Sequence, residues 1–583
     1  MNKEHIGRLA AIMVAKGIEQ VVVSPGSRNA PVIILFGKNR SLKLLSVGDE
    51  RSAGFFALGL ALQSQKTVAL LCTSGSAVLN YAPAIAEAYY QKIPLLVLTA
   101  DRPVELIDQG DSQTIRQQNV FSNYIRKSFN LPVAIHSNNE RWYTDRVVNE
   151  AIDRTMYPVQ GPVQLNIPLD EPLYDIDYVI EGRPAIIRYN LPNQQLNEES
   201  MQRLAGVWKS ASSVMIVAGQ MSPSQEVKDL LLKLAEDPSI VVLTETTSNL
   251  THNRFINCID RTIAVIPALK NKDYAPDLLI TIGGAIISKK IKAMLRDMSP
   301  ANHWHISNDP DEFHFDTYKS LTETIPLNAR DFLTQLQHEL STKHLLDSSE
   351  DDQIQRQELI KINNSNSYYS KWQLAVAKTA QKHSEYMEKI EFTDFRAYHT
   401  IFEHLPENTA VHLGNSTPVR YAQLFDQRIN LKFYANRGTS GIDGCTSTAA
   451  GFAYNYSGLT VIITGDIGFL YDSNGLWNSN LPERFKIILI NNGGGNIFRI
   501  IDGPTGHEEL EPFIETRHNL QAAGIASNFN IEYFKASDED ELKSQLPLFL
   551  KPQDSHRPAL LEIITNNQLS AQTLRDYFGF LRK

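Results

Sequence analysis

Short apolar runs separated by amphipathic stretches and polar turns recur along the chain in three successive groups. The first group lies at 21–23, 44–47, 68–71, 94–98 and 163–167. The second lies at 214–217, 240–243 and 278–282, and the third at 410–413, 431–434, 461–463, 487–490 and 560–564. Runs this short and this apolar predict strands buried on both faces of a parallel sheet, and the helical patterns between them supply the crossovers. The expectation is an α/β chain of three consecutive doubly wound parallel-sheet domains, at 1–185, 200–345 and 360–583. The polar stretch 190–200, with Pro192, reads as a linker, and the charged stretch 347–358 as a solvated linker or helix face.

Composition narrows the class without changing this picture. The length of 583 residues suits about three or four domains, and 42% hydrophobic residues can fill several cores. A net charge of -9 with no Lys/Arg-rich run argues against nucleic acid or an anionic membrane as partner. Cys72, Cys258 and Cys445 are far apart and odd in number, as expected of reduced cytoplasmic thiols. The N-terminus lacks a signal-peptide core, and no apolar stretch is long enough to span a bilayer. In that compartment the sequon Asn415-Ser416-Thr417 is expected to serve something other than glycosylation.

Candidate chemistry gathers at the strand ends. The 461–463 run leads to Gly465-Asp466-Ile467, and the 487–490 run to Asn491-Asn492-Gly493-Gly494-Gly495. Open α/β sheets bind ligands at such carboxyl ends. A carboxylate, an amide oxygen and a main-chain carbonyl form a hard set for Mg2+, which keeps positions free for diphosphate oxygens and water. Glycines there let the main chain approach phosphates closely. Caps and turn residues would account for the same letters if they stood alone.

They do not stand alone. Ser24-Pro25-Gly26-Ser27-Arg28-Asn29 is a tight turn between strand and helix, suited to an anion. Gly48-Asp49-Glu50-Arg51-Ser52-Ala53 follows the second run; by itself Glu50 reads as complementing a helix dipole. Thr73-Ser74-Gly75-Ser76-Ala77 and Thr99-Ala100-Asp101-Arg102-Pro103 are read as two further polar turns on the same edge. The third group adds Gly414-Asn415-Ser416-Thr417-Pro418-Val419-Arg420 and Asn436-Arg437-Gly438-Thr439-Ser440-Gly441-Ile442-Asp443-Gly444.

The Gly-Asp opening with its later Asn-Asn pair resembles the diphosphate motif of thiamine-diphosphate enzymes. The whole ordered set of turns resembles one family among them, the SEPHCHC synthases (2-succinyl-5-enolpyruvyl-6-hydroxy-3-cyclohexene-1-carboxylate synthases) of menaquinone biosynthesis. The likeness spans nearly the whole chain and is weakest in the middle. In that family an apolar residue also stands third in Gly-Asp-Gly, as Ile467 does here.

The resemblance implies thiamine diphosphate with Mg2+ (or Mn2+) held by Asp466, Asn492 and the Gly494 carbonyl. Glu50 would face N1' of the aminopyrimidine, and Gly441 and Ile442 would support the cofactor's bent shape. The implied reaction is decarboxylation of 2-oxoglutarate and conjugate addition of the succinyl unit to isochorismate. Ser416 and Arg420 would hold the distal carboxylate of the first substrate. Arg28, Arg102, Gln113, Lys289 and Arg437 would serve isochorismate and the intermediate, Ser27 and Asn415 would also bind substrate, and Phe498 would be an apolar wall. Lys290 departs from the pattern, standing where an Arg is common. The family's half-sites come from different subunits, so a homodimer or homotetramer is implied. Two other readings remain open: a different thiamine-diphosphate 2-oxo acid lyase, and a non-catalytic binding module of the same fold. The missing His-His pair and the arginine-bearing turns weigh against the first. Intact Glu50, Asp466 and Asn492 weigh against the second.

Overall fold

A computed structural model describes residues 3–174, 180–190, 194–267, 272–347, 367–426, 430–500, 503, 506–552 and 555–583. Three parallel sheets follow one another along the chain, as the apolar grouping predicts. The first contains β1 (Gln20–Val23), β2 (Lys43–Ser46), β3 (Val68–Cys72), β4 (Leu95–Asp101), β5 (Ser128–Asn130) and β6 (Val163–Pro168), in the order β2-β1-β3-β4-β6-β5. The second contains β7 (Val214–Ala218), β8 (Ile240–Thr244), β9 (Leu278–Ile282), β10 (Asn302–Ile306) and β11 (Glu323–Ile325), ordered β11-β10-β9-β7-β8. The third contains β12 (Ala410–Leu413), β13 (Lys432–Tyr434), β14 (Thr460–Gly465), β15 (Phe485–Asn491), β16 (Glu532–Ala536) and β17 (Ala559–Ile564), ordered β13-β12-β14-β15-β17-β16.

The apolar runs became central strands because both faces are covered by helices; β3, β7, β8 and β9 are buried at every position. Four strands carry too little apolar signal to read from sequence. β5, β11 and β16 are edge strands with a partly solvated face. β10 is buried but hides its polarity: His305 Nδ1 and His303 Nε2 lie 2.9 and 3.2 Å from the Thr281 hydroxyl on β9. One expected turn is in fact strand. β4 runs on through Thr99 and Asp101, whose side chains bond Asn166 on β6, so only Arg102 and Pro103 leave the sheet. Within 190–200 a helix already begins at Glu198, capped by Asn197. Asp347 ends the helix Ala329–Asp347, and the remainder of the 347–358 stretch lies outside the described residues.

The first and third sheets are joined by two helices, Glu50–Ser64 and Cys445–Asn455, which cross backbone to backbone. A Cβ on Gly59 would lie 2.0 Å from the Thr448 carbonyl oxygen, and one on Gly451 would lie 2.0 Å from that of Phe56. Only glycine allows this approach. The register of β14 on β15 pairs Gly465 with Ile490, so Asp466 and Asn491 leave the same sheet edge side by side.

Candidate active site

Asp466 opens the helix Asp466–Tyr471 and is 4% exposed. Its Oδ1 accepts the Ile467 N–H at 2.7 Å; its Oδ2 accepts the N–H groups of Gly493 and Gly494 at 2.8 and 3.0 Å. The glycine turn can fold over the carboxylate because Gly493 and Gly494 have φ of +76° and +154°.

The two asparagines divide their work. Asn491 donates to Glu562 Oε1 at 2.6 Å and to the Leu520 carbonyl at 2.9 Å, fastening β15 to β17 and its neighbouring loop. Asn492 donates from Nδ2 to Asp394 Oδ2 at 2.9 Å, which turns its carbonyl oxygen the other way. Asp394 is fully buried at the start of the helix Asp394–His404, and also accepts from Thr565, Ser570 and Asn496. Burial raises its pKa, and these hydrogen bonds oppose the rise. Among the described residues no three His, Cys, Asp or Glu side chains gather as a metal cage. The donors at this floor are one carboxylate, one amide oxygen and main-chain carbonyls, which suits a hard divalent cation.

Above this floor lies a cleft of about 330 Å³. Asp466, Asn492 and Gly494 form one wall, Ile442 and Phe498 supply apolar surface, and Asn415, Ser416, Arg420 and Arg437 face them. Gly441 sits just behind, its carbonyl accepting from Asn415 Nδ2 at 2.6 Å. Asn415 also donates to the Asn436 carbonyl and accepts from Arg437 Nη1 at 2.9 Å, so its amide is spent holding the two loops together. Among the described residues Arg420 bonds only the Ser416 carbonyl, at 2.6 Å. Burial lowers the pKa of both guanidiniums, and at Arg437 the neighbouring Arg420 cation lowers it further. Arg437 Nε and Asn496 Oδ1 are buried with no protein partner. Two desolvated cations with donors to spare describe a site for a multiply charged anion.

The first-sheet candidates form a separate group. Glu50 is the first residue of its helix, which Asp49 caps by accepting the Ser52 N–H at 3.0 Å. Arg28 is buried, donating to the Leu169 carbonyl and pairing with Glu171. Arg102 donates to the Ser112 carbonyl at 2.8 Å and lies close enough to Arg28 to lower its pKa, after burial. Ser27 and Gln113 are exposed; the backbone of Gln113, at φ +53°, lies against Gly75. None of these residues lines the cleft of their own chain. Glu50 stands instead beside the 471–477 segment, where Arg51 donates to the Tyr471 carbonyl and Asn474 to Asp49. Lys289 is exposed at the start of the helix Lys289–Met298, and Lys290 turns away to place its ammonium 3.0 Å from the Phe578 ring centroid. Burial lowers the Lys290 pKa to about 8.

Several supporting residues gave little sign in the sequence. Asp394 reads as an ordinary helix start, and Glu515, whose carbonyl accepts the Gly495 N–H, lies in an irregular segment. Glu562 alone carried a signal, a charge inside the apolar strand 559–564 that must find partners.

Two family profiles match the chain. The one described as thiamine pyrophosphate enzyme, N-terminal TPP binding domain, covers residues 7–120; the one described as middle domain of thiamine pyrophosphate covers 186–413. A Christiangramia forsetii protein named 2-succinyl-5-enolpyruvyl-6-hydroxy-3-cyclohexene-1-carboxylate synthase is 40% identical, over 98% of either chain. Proteins of the same name from Flavobacterium johnsoniae and Porphyromonas gingivalis are 41% and 38% identical, over 97% and 100% of this chain and 96% and 97% of theirs. This chain belongs to the SEPHCHC synthase family. Its three parallel sheets and its match to thiamine-diphosphate enzyme domains are what the sequence motifs of that family led one to expect. No helix among the described residues is long and apolar enough to cross a membrane.

Proposed function

We propose that the protein is a thiamine-diphosphate-dependent SEPHCHC synthase, a transferase that decarboxylates 2-oxoglutarate and adds the remaining succinyl unit to isochorismate. The observation that carries this reading is the cleft itself: hard oxygen donors at Asp466, Asn492 and Gly494 share it with two half-buried guanidiniums, Arg420 and Arg437. When bound, thiamine diphosphate supplies the electron sink that lets a 2-oxo acid lose CO2 while its acyl carbon becomes a nucleophile.

The protein's own residues bind, orient and shield. Asp466, Asn492 and the Gly494 carbonyl would hold Mg2+ (or Mn2+), which would supply positive charge for the diphosphate. Ile442 and Gly441 set the cofactor's bend. Glu50 would hold a proton at its carboxyl against the cofactor's pyrimidine ring, as a general acid-base group. Glu50 serves the cleft of a second copy, in a homodimer or homotetramer; its place outside the cleft of its own chain supports this reading. Ser416 and Arg420 hold the distal carboxylate of 2-oxoglutarate. Ser27, Arg28, Arg102, Gln113, Lys289 and Arg437 hold isochorismate, with Asn415 bracing Arg437 and Phe498 keeping water from the reacting carbons. Lys290, turned into packing, has no substrate role. The reaction belongs to the cytoplasm, where thiols such as the three buried cysteines stay reduced.

The test separates the two substrates. Arg420→Ala should raise the KM for 2-oxoglutarate about ten- to a hundredfold, the loss expected for a charge-assisted contact, with a smaller effect on isochorismate. Arg102→Ala should do the reverse. Equal effects of both variants on both substrates, in folded and cofactor-loaded protein, would sink the two-site assignment.

A further inference from the structure

Glu87 is a carboxylate with 1% exposure in the middle of the helix Ala82–Gln91, which belongs to the first sheet's layer. A charge so buried must be heavily bonded. Its partners come mainly from the third region. Oε1 accepts the Gly438 N–H at 2.7 Å, and Oε2 accepts the Thr439 N–H at 2.7 Å and the Thr439 hydroxyl at 2.5 Å. Gln91, one turn along the same helix, donates to Oε1 at 2.5 Å.

Successive main-chain N–H groups aimed at one point form an anion-binding concavity. Here the anion is the protein's own. The approach depends on glycine, since a Cβ on Gly438 would lie 2.7 Å from the Glu87 carbonyl oxygen. The middle region also reaches this point: Gln220, just past β7, donates to Gln91 Oε1 at 2.9 Å and to the Ala435 carbonyl at 2.8 Å.

The clamped residues lie between Arg437 and Ile442, both on the cleft wall. A carboxylate that only docked two domains would be free to pair with side chains anywhere on the facing surface. This one bonds the main chain directly after Arg437. We propose that Glu87 is a positioning residue, which sets the path of the 437–442 loop and through it the aim of Arg437 into the substrate cleft.

The inference rests on the proposed role of Arg437, and two readouts keep the two apart. In Glu87→Gln an NH2 group replaces an oxygen that accepts an N–H, so part of the clamp is lost while the shape is kept. Exchange of the Gly438 and Thr439 amides should speed up about tenfold or more, and the KM for isochorismate should rise about tenfold, with kcat reduced less. Retention of thiamine diphosphate and Mg2+ should be unchanged. In an Arg437→Ala background the Glu87→Gln effect on KM should vanish, because two residues acting through one contact are not additive. Thr439→Ala, at an exposed position, removes only the hydroxyl bond and should give a smaller rise in the same direction, about threefold. Unchanged amide exchange, or a KM effect of full size in the Arg437→Ala background, would overturn the proposal. If Arg437→Ala alone left both KM values untouched, the fault would lie in the reading of Arg437, and faster exchange in Glu87→Gln would still support the clamp.

Discussion

The first and third regions share one scaffold and carry different groups of the candidate site residues. Their strand orders match position for position: β1 corresponds to β12, β2 to β13, β3 to β14 and β4 to β15. After the second strand of each comes the helix that crosses its counterpart, with Phe56 and Gly59 on one side matched by Thr448 and Gly451 on the other. The strand ends differ. β14 and β15 lead into Asp466 and Asn492, whereas β3 and β4 lead into Thr73 and Arg102. The turn after β2 brings Glu50, while that after β13 brings Ile442. One backbone plan therefore presents a cluster of oxygen donors in one place and the Glu50 carboxylate in the other, because function sits in what emerges from the strand ends.

The strongest test breaks each half separately. Asp466→Ala should abolish retention of thiamine diphosphate with Mg2+, since it removes the carboxylate of the proposed metal site. Calorimetric titration would show it, and an unchanged affinity would mean the floor was misread. Glu50→Gln should keep the cofactor and lose activity about a hundredfold. Mixing the two inactive variants sharpens the comparison. If sites form between chains, subunits re-associated after dissociation regain activity, because one site of each mixed dimer has Glu50 and Asp466 intact. No recovery in verified mixed dimers would put both residues in sites formed within one chain.

What the sequence made legible follows the same division. The central strands and the motifs at their ends were readable because full burial writes a continuous apolar run and close ligand approach demands glycine. Asp466 and the turns at 414–420 and 436–444 were found that way, whereas Phe498 and the role of Ile442 came only from the family resemblance. Edge strands such as β16 were not, since one wet face erases the pattern. Glu87 and Asp394 were invisible for another reason: their partners are 351 and 98 residues away in the chain. A buried carboxylate looks like a surface one until the fold supplies what it bonds.

The helix crossing offers a test of the internal symmetry. Gly59→Ala and Gly451→Ala would each push a methyl group against a backbone carbonyl that cannot swing aside. Each should destabilise by about 3 kcal/mol or more, the upper range for an overpacked site, and by similar amounts. Gly206→Ala is the contrast. In the helix Glu198–Ser210 its Cβ would meet nothing within 4 Å, so it should stabilise by up to about 1 kcal/mol. Urea unfolding of the three variants decides it. A mild effect at either crossing glycine would mean that the two regions are free to shift apart.

The last contrast concerns how the two crossing helices are capped. Asp49 caps its helix from the adjacent residue, accepting the Ser52 N–H. The counterpart helix starts at Gly444, which has no capping side chain, and the Ser447 N–H is instead taken by Asp472 at 2.7 Å, with the Ser447 hydroxyl at 2.7 Å as well. Asp472 is fully buried. Burial pushes its pKa up to about 7, against the pull of the Ser447 bonds and Arg51. A carboxyl whose folded pKa is raised keeps its proton in the folded state after the unfolded chain has lost it. Its contribution to stability is therefore full below about pH 4 and is lost as pH rises toward 7, by at most about 1.4 kcal/mol per pH unit. Asp472→Asn has no proton to hold and still offers one acceptor oxygen. Its stability relative to the unsubstituted protein should rise steadily from pH 4 to pH 7 and then level off. Asp49→Asn should change stability by only a few tenths of a kcal/mol, because asparagine caps a helix about as well as aspartate. A stability difference for Asp472→Asn that stays flat across this window would mean that the buried carboxyl ionises like a surface one, and that the two helices are capped in physically equivalent ways.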